Sequence, residues 1–278
     1  MNVPDIFDRN ARARARDRAA SLPADGDFAR NWMVEGLLDR LAAVRRDFTD
    51  VLEIGCGRSP TPFADTAHVT RTDPGRLFAM QADAVRADED RLPFAETSFD
   101  LIVSAGVLDQ IADLPGALLL ARRLLRPDGL FLAAFAGAGS LPALRRALSE
   151  ADQGGAAPRL HPQIDVRAAG DLLARAGFAL PVADVETLEA RYGTLDALLA
   201  DLRASAATNI LRGRAPLTRG GLERARAAFA ALAEPDGRVR ERLNVIVLTG
   251  WAPDASQPRP AKRGSATASL ADALRRGS

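Results

Sequence analysis

An apolar run carrying one acid and closed by a Gly-x-Gly turn, Val51-Leu52-Glu53-Ile54-Gly55-Cys56-Gly57, constrains this chain more than any other stretch. Such a segment reads as a buried parallel strand breaking into a ligand-binding loop. Without a Cβ, Gly55 and Gly57 let the backbone turn tightly and approach a ligand closely. Glu53 falls near the strand's carboxyl end, where open α/β sheets bind ligands. His68–Asp73 reads as a second strand, and an acid closing it is placed to accept hydrogen bonds from ribose hydroxyls. Asp88, Glu89 and Asp90 then precede Leu92-Pro93-Phe94 and the apolar run Phe99–Ala105, typical of a strand buried on both faces.

Further strands are expected near Ala84–Ala87, at Leu130–Phe135, at Ala179–Val185 and at Leu243–Thr249. Helices are expected over residues 28–47, over Asp113–Leu125, from near Leu141 with Ser140 as its N-cap, and from Asp165 to Arg175 with Gly177 as its stop. Strands alternating with helices imply a parallel sheet. Arg58-Ser59-Pro60-Thr61-Pro62 carries no third glycine, and its prolines limit any helix that follows to a short one. The dipole of such a helix would help a ligand's carboxylate less than usual.

Composition narrows the partners. Among 278 residues the net charge is +1, so no bulk field draws nucleic acid or membrane. Arg12, Arg14, Arg16 and Arg18 form a local basic run, but Lys262 is the only lysine and arginine is abundant throughout. The run is therefore read as solvated helix face rather than a nucleic-acid patch. Cys56 is the only cysteine and reads as a small residue packed in a tight turn. His68 and His161 are the only histidines, which makes no convincing metal site. No apolar stretch is long enough for a bilayer. Asp5, Asp8 and Asp17 break up the Arg-rich start, which argues against a transit peptide.

Five segments follow. Residues 1–27 form an N-terminal helical segment, and residues 28–185 the ligand-binding core. Residues 186–242 form a helical insertion with helical patterns at Leu195–Arg203 and Leu217–Leu232, too long for a hairpin loop and read as a lid or substrate-binding element. Residues 243–252 are the last core strand. Residues 253–278 form an irregular tail with a short helix at Leu270–Arg275.

The ordered series from Glu53 to Ser104 resembles class I S-adenosylmethionine-dependent methyltransferases. The resemblance implies an α/β, three-layer α-β-α, Rossmann-like fold: a mostly parallel seven-stranded sheet, an antiparallel last strand, and the insertion between the last two strands. It implies S-adenosyl-L-methionine as cofactor. Gly55 and Gly57, with Cys56 between them, would face the methionine moiety, Asp73 the ribose, and Asp88 the adenine amino group with Glu89 beside it. Ser104 and Ala105 would line the pocket floor. Glu53 would orient the loop or hold the cofactor's ammonium. Asp109, the nearest titratable group to the expected reaction centre, is the catalytic candidate; it would pair with a substrate guanidinium or cap the following segment.

The whole chain looks like the bacterial relatives of the mitochondrial complex I assembly factor 5 family. The matching stretches are Ile6-Phe7-Asp8-Arg9, Asp113–Leu118, Asp165–Gly170, Ala207-Thr208-Asn209 and the tail Ser256–Ala266. This implies a protein substrate: an arginine, methylated or hydroxylated, on a peripheral-arm subunit of respiratory complex I. It also implies a cytoplasmic protein, peripheral to the inner membrane through its partner, with no stable membrane insertion and no nucleic acid. Two departures stand out: Ser59 where the family keeps a glycine, and Asp109-Gln110 where it often has His or another residue followed by an aromatic. A small-molecule or carrier-protein O-methyltransferase of the biotin-pathway type and a non-catalytic complex I assembly factor are the alternatives.

Overall fold

Successive side chains along the central strands point to opposite faces, and both faces are buried, which dictates three layers. The computed structural model describes residues 5–23, 27–58, 61–64, 66–153 and 157–258. The strands are β1 (Asp50–Ile54), β2 (His68–Asp73), β3 (Val85–Arg86), β4 (Phe99–Ala105), β5 (Leu125–Ala136), β6 (Ala179–Tyr192) and β7 (Val239–Trp251). They form one sheet in the order β3-β2-β1-β4-β5-β7-β6. The pairs among β1 to β5 are parallel, and β7 runs antiparallel to both β5 and β6. The order reverses between β1 and β4, which opens a crevice beyond their carboxyl ends.

Leu52, Ile54, Ile102, Phe131, Ala133, Phe135, Ile246 and Leu248 point to one face. There they pack against α4 (Leu114–Leu124) and α6 (Val166–Arg175). Val51, Leu101, Val103, Leu130, Leu132, Val245 and Val247 point to the other, against α2 (Phe28–Ala42). In α2 the stripe turns on Met33, Val34 and Leu37, and Phe28 at its start is largely exposed.

The caps follow short-range chemistry. Asp113 accepts from the Gly116 N–H at 2.8 Å, Asp165 accepts from the Ala168 N–H at 2.8 Å, and Gly177 closes α6 at φ +85°. Ser140 is not a cap. Its hydroxyl bridges the backbone of Gly137 and Asn244, and α5 (Pro142–Ala151) starts after Leu141 at φ +57°. Residues 61–64 form no helix, so even the short helix expected after Pro62 is absent among the described residues. β5 begins earlier than expected because Leu125 already pairs with Phe99; the register then shifts before Leu101 meets Leu130.

The largest difference lies in the last hairpin. β6 and β7 stay paired as far as Tyr192 and Val239, so residues 186–192 and 239–242 are strand rather than insertion. The helical insertion is correspondingly shorter, 193–238, with α7 (Leu195–Ala204) and α8 (Arg219–Ala230). It shares a core with α5 through Leu144, Leu148, Leu198 and Phe229. The tail beyond 258, with the helix expected at Leu270–Arg275, lies outside the described residues.

Phe135 is fully buried in β5 at the sheet's centre. Phe135→Ala is expected to cost about 3–5 kcal/mol in denaturant unfolding. Leu119→Ala, on the exposed side of α4, is expected to stay within about 0.5 kcal/mol.

Candidate functional site

Three strand ends build the site. After β1 the chain turns through Gly55 (φ +73°) and Gly57 (φ +63°), with the N–H groups of Gly55 and Cys56 donating to the Thr72 carbonyl on β2. A Cβ on Gly55 would stand 2.5 Å from a methyl of Val107, and one on Gly57 3.1 Å from Nε of Arg30. Both positions therefore need glycine for conformation and for space. Cys56 is buried, and desolvation, reinforced by Asp73 and Glu53, pushes its thiol up to about 12. It is an inert packing residue.

Glu53 is fully committed to the protein. It accepts from Arg30 Nη2 at 2.9 Å, from the N–H and hydroxyl of Thr61 at 3.1 and 2.5 Å, and from Arg71 Nε at 3.1 Å. These contacts tie the chain after the glycine turn back onto β1. Ser104 donates to the Ile54 carbonyl and pins β4 to β1, so it does not line the pocket. Ala105 and Gly106 do.

The remaining acids are met by arginines of α1 (Arg9–Ala20). Asp73 accepts from the N–H groups of Gly57 and Gly75 at 3.2 and 2.7 Å, and from Arg16 Nε and Nη2 at 2.7 and 2.5 Å. Glu89 takes both terminal nitrogens of Arg12 at 2.6 Å, and Asp90 takes Arg9 in the same two-pronged way. Asp88 pairs with Arg9 at 3.1 Å. The reading of these arginines as solvated helix face is thus corrected for Arg12 and Arg16, which are 2% and 3% exposed. Burial disfavours the charge on Arg16, yet Asp73 holds its pKa above the ordinary value. The spacing 9, 12, 16 puts the three on one helix face, and that was the sequence signal for them.

Beyond Gly57 and Ala105 lies a cavity of about 160 Å³. Its floor includes Gly106, Asp109 and Gln110, its roof Leu198, Asp201 and Leu202 of α7, and its wall Leu188, Tyr192 and Leu243 of the long hairpin. Asp109 sits in a single 3-10 turn (Leu108–Gln110) directly after β4. Desolvation raises its pKa to about 6. Among the described residues no side chain donates a hydrogen bond to it. Buried beside it, the Gln110 amide oxygen has no hydrogen-bond partner. An acceptor like that in a cavity wall is open to a donor from water or from a ligand. His161, also on the wall, has its pKa lowered to about 4 by burial, and its Nε2 accepts from the Ile210 N–H. It is a neutral structural histidine. Among the described residues no group of three or more His, Cys, Asp or Glu side chains is arranged to hold a metal ion.

Residues 52–133, which carry all of the strand-end acids, match the model of a methyltransferase domain. Over 96% of the chain, and 89% of the relative, the sequence is 33% identical to the arginine-hydroxylase NDUFAF5, mitochondrial, of Danio rerio. The chain belongs to the class I S-adenosylmethionine-dependent methyltransferase family and is related to NDUFAF5. A malonyl-[acyl-carrier protein] O-methyltransferase of Methylovorus sp. is 30% identical over 92% of the chain and 93% of its own length. The YcgJ protein of Bacillus subtilis shares the fold, with a TM-score of 0.54 over 81% of this chain and all of that one, at 15% identity.

S-adenosylmethionine is therefore the cofactor, and the site fits it in part. The glycine turn, the Ala105-Gly106 floor and Arg30 suit the methionine half. Arg30, 7% exposed and lining the cavity beside Gly57, is a cationic group that the sequence reading missed. Asp73 has the position expected for a ribose acceptor, but Arg16 holds both of its oxygens.

Asp109 carries a pH signature. Its carboxyl binds a proton more tightly folded than unfolded, so its ionisation opposes folding as pH rises from about 4 toward 6. Asp109→Asn is expected to be more stable than the wild type at pH 7. The difference should vanish below about pH 4, where both forms are neutral, as followed by denaturant unfolding across pH.

Proposed function

We propose that this enzyme modifies an arginine side chain of a protein, with the guanidinium entering the cavity to meet Asp109. The observation that carries this reading is the half-buried Asp109 carboxyl, lining a cavity beside the glycine turn with no side-chain donor among the described residues. A guanidinium offers paired N–H donors that suit such a carboxylate. Near-complete overlap with an arginine-hydroxylase supports the same substrate class. The motifs shared with complex I assembly factors favour a peripheral-arm subunit of complex I as the protein.

When bound, S-adenosylmethionine supplies an electrophilic methyl group. This chain's own work is alignment and proton handling. Gly55 and Gly57 would let the backbone approach the methionine, Arg30, which also pairs with Glu53, would offer the cofactor's carboxylate a cation, and Asp73 would take the ribose. Asp109, with a pKa near the working pH, would pair with the guanidinium and receive the proton that its nitrogen gives up as the new bond forms. The apolar roof from Leu198 and Leu202 keeps water from the reacting atoms. A carrier-protein methyltransferase is the second reading, favoured by the equally complete match to the malonyl-carrier-protein enzyme.

Peptide mass spectrometry of complex I peripheral-arm subunits, from cells with and without the gene, tests the proposal. A gene-dependent arginine heavier by a methylene supports methyl transfer, and one heavier by an oxygen supports hydroxylation. No difference, together with methylation of a malonyl carrier protein in vitro, would sink the arginine reading. Asp109→Asn is expected to lower the modification rate by about 100-fold or more.

A further inference from the structure

Helix α1 is fastened across the cofactor's acids at both ends. At its start, Phe7 forms a backbone bridge with Leu211: the Asp8 N–H donates to the Ile210 carbonyl at 2.8 Å, and the Arg212 N–H to the Ile6 carbonyl at 2.9 Å. The Phe7 ring meets His161 edge-on at 5.1 Å, and Asp8 pairs with Arg214 at 3.1 Å. Toward its end, Arg58 donates to the carbonyls of Ala19 and Ala20, and Asp17 accepts from the N–H of Leu77 at the start of α3 (Arg76–Gln81). Gly75 clears the lane for Arg16, since a Cβ there would stand 2.7 Å from that of Arg16. The segment thus reaches from the glycine turn to the chain that follows α7, which roofs the substrate cavity.

Resting on the reading of Asp73 as the ribose acceptor, we propose that α1 is an internal competitor of S-adenosylmethionine. Arg16 holds Asp73 in the cofactor-free enzyme and leaves it when the ribose binds. Both oxygens of Asp73 face the guanidinium, so a ribose diol and Arg16 cannot take the same two acceptor positions together. Because α1 is stitched to residues 210–212, releasing it also loosens the roof of the cavity. Cofactor loading and substrate entry are then coupled, and the coupling is reciprocal. Only the open fraction of the enzyme binds cofactor, so closure weakens the apparent affinity by that fraction.

The test uses S-adenosylhomocysteine as an inert probe on the full-length chain. Arg16→Met keeps the length of the side chain and removes the competing donors. It is expected to bind the probe about tenfold more tightly by calorimetry. In the wild type, the probe is expected to speed amide hydrogen exchange over residues 9–20 and 208–212. Unchanged or weaker binding by Arg16→Met overturns the proposal, as does unchanged or slowed exchange of α1, which would make the helix a clamp that stays on the cofactor. If Arg16→Met does not fold, the wild-type exchange experiment still decides. Adding Asp73→Asn to Arg16→Met separates the two readings. Weakened binding upholds Asp73 as the ribose acceptor whatever Arg16 does, and no change overturns that assignment and the competitor with it.

Discussion

A guanidinium taken out of water must find a carboxylate with matching geometry, and the Arg16–Asp73 pair is where this fold meets that demand. Breaking a buried pair by removing one partner leaves the other charge uncompensated, which costs far more than the pair contributes. Much of the surrounding architecture accommodates the pair. Gly75 has no side chain where Arg16 must pass. The N–H groups of Gly57 and Gly75 complete the acceptor capacity of Asp73. Phe78 stacks under the guanidinium at 5.0 Å. Glu53 does for the glycine loop what Asp73 does for α1, collecting Arg30, Arg71 and Thr61 onto the end of β1.

The strands and caps were legible because each rests on local chemistry. Phe99–Ala105 reads as buried on both faces from its own composition, and every one of its residues is buried. Asp113, Asp165 and Gly177 act within one helical turn, so short spacing suffices to place them. The roles of Arg12 and Arg16 were not legible in that way. Their partners lie 77 and 57 residues away, and an arginine on a solvated face looks the same in one dimension as one paired in the interior. The glycine turn and the acids were legible as strand-end features, but not that the chain's own arginines would cover the acids. Ser140 has the composition of a cap, yet its hydroxyl is taken by strand β7, a tertiary contact that overrides the local preference. The long arms of β6 and β7 escaped notice because Glu186, Glu189, Arg191, Arg240 and Arg242 make the pattern polar. A two-stranded ribbon standing out of the core tolerates charges that a central strand would not.

Two of the motifs that carry the family resemblance lie about 200 residues apart in sequence and are brought together in space. Ile6-Phe7-Asp8-Arg9 pairs with the segment that follows Ala207-Thr208-Asn209. Asn209 shapes that segment, its amide donating to the Pro158 carbonyl and accepting from the Leu211 N–H. The contact thus joins the entry to α1, the exit from α7 and the cavity wall at His161. The methyltransferase-domain match spans residues 52–133, from β1 into β5. Both partners of this junction lie outside that span and meet beside the site.

That junction also ties α1 by contacts of two ranges. The acids it covers lie within the next 81 residues of chain. Asp5 and Arg212, which flank the backbone bridge, are 207 positions apart. The bridge therefore closes a much longer loop than the arginine–carboxylate pairs do, and contacts this distant in sequence carry the larger closure cost. Shorter-range pairing sets α1 on the crevice, and only the long-range bridge couples it to the chain beyond α7.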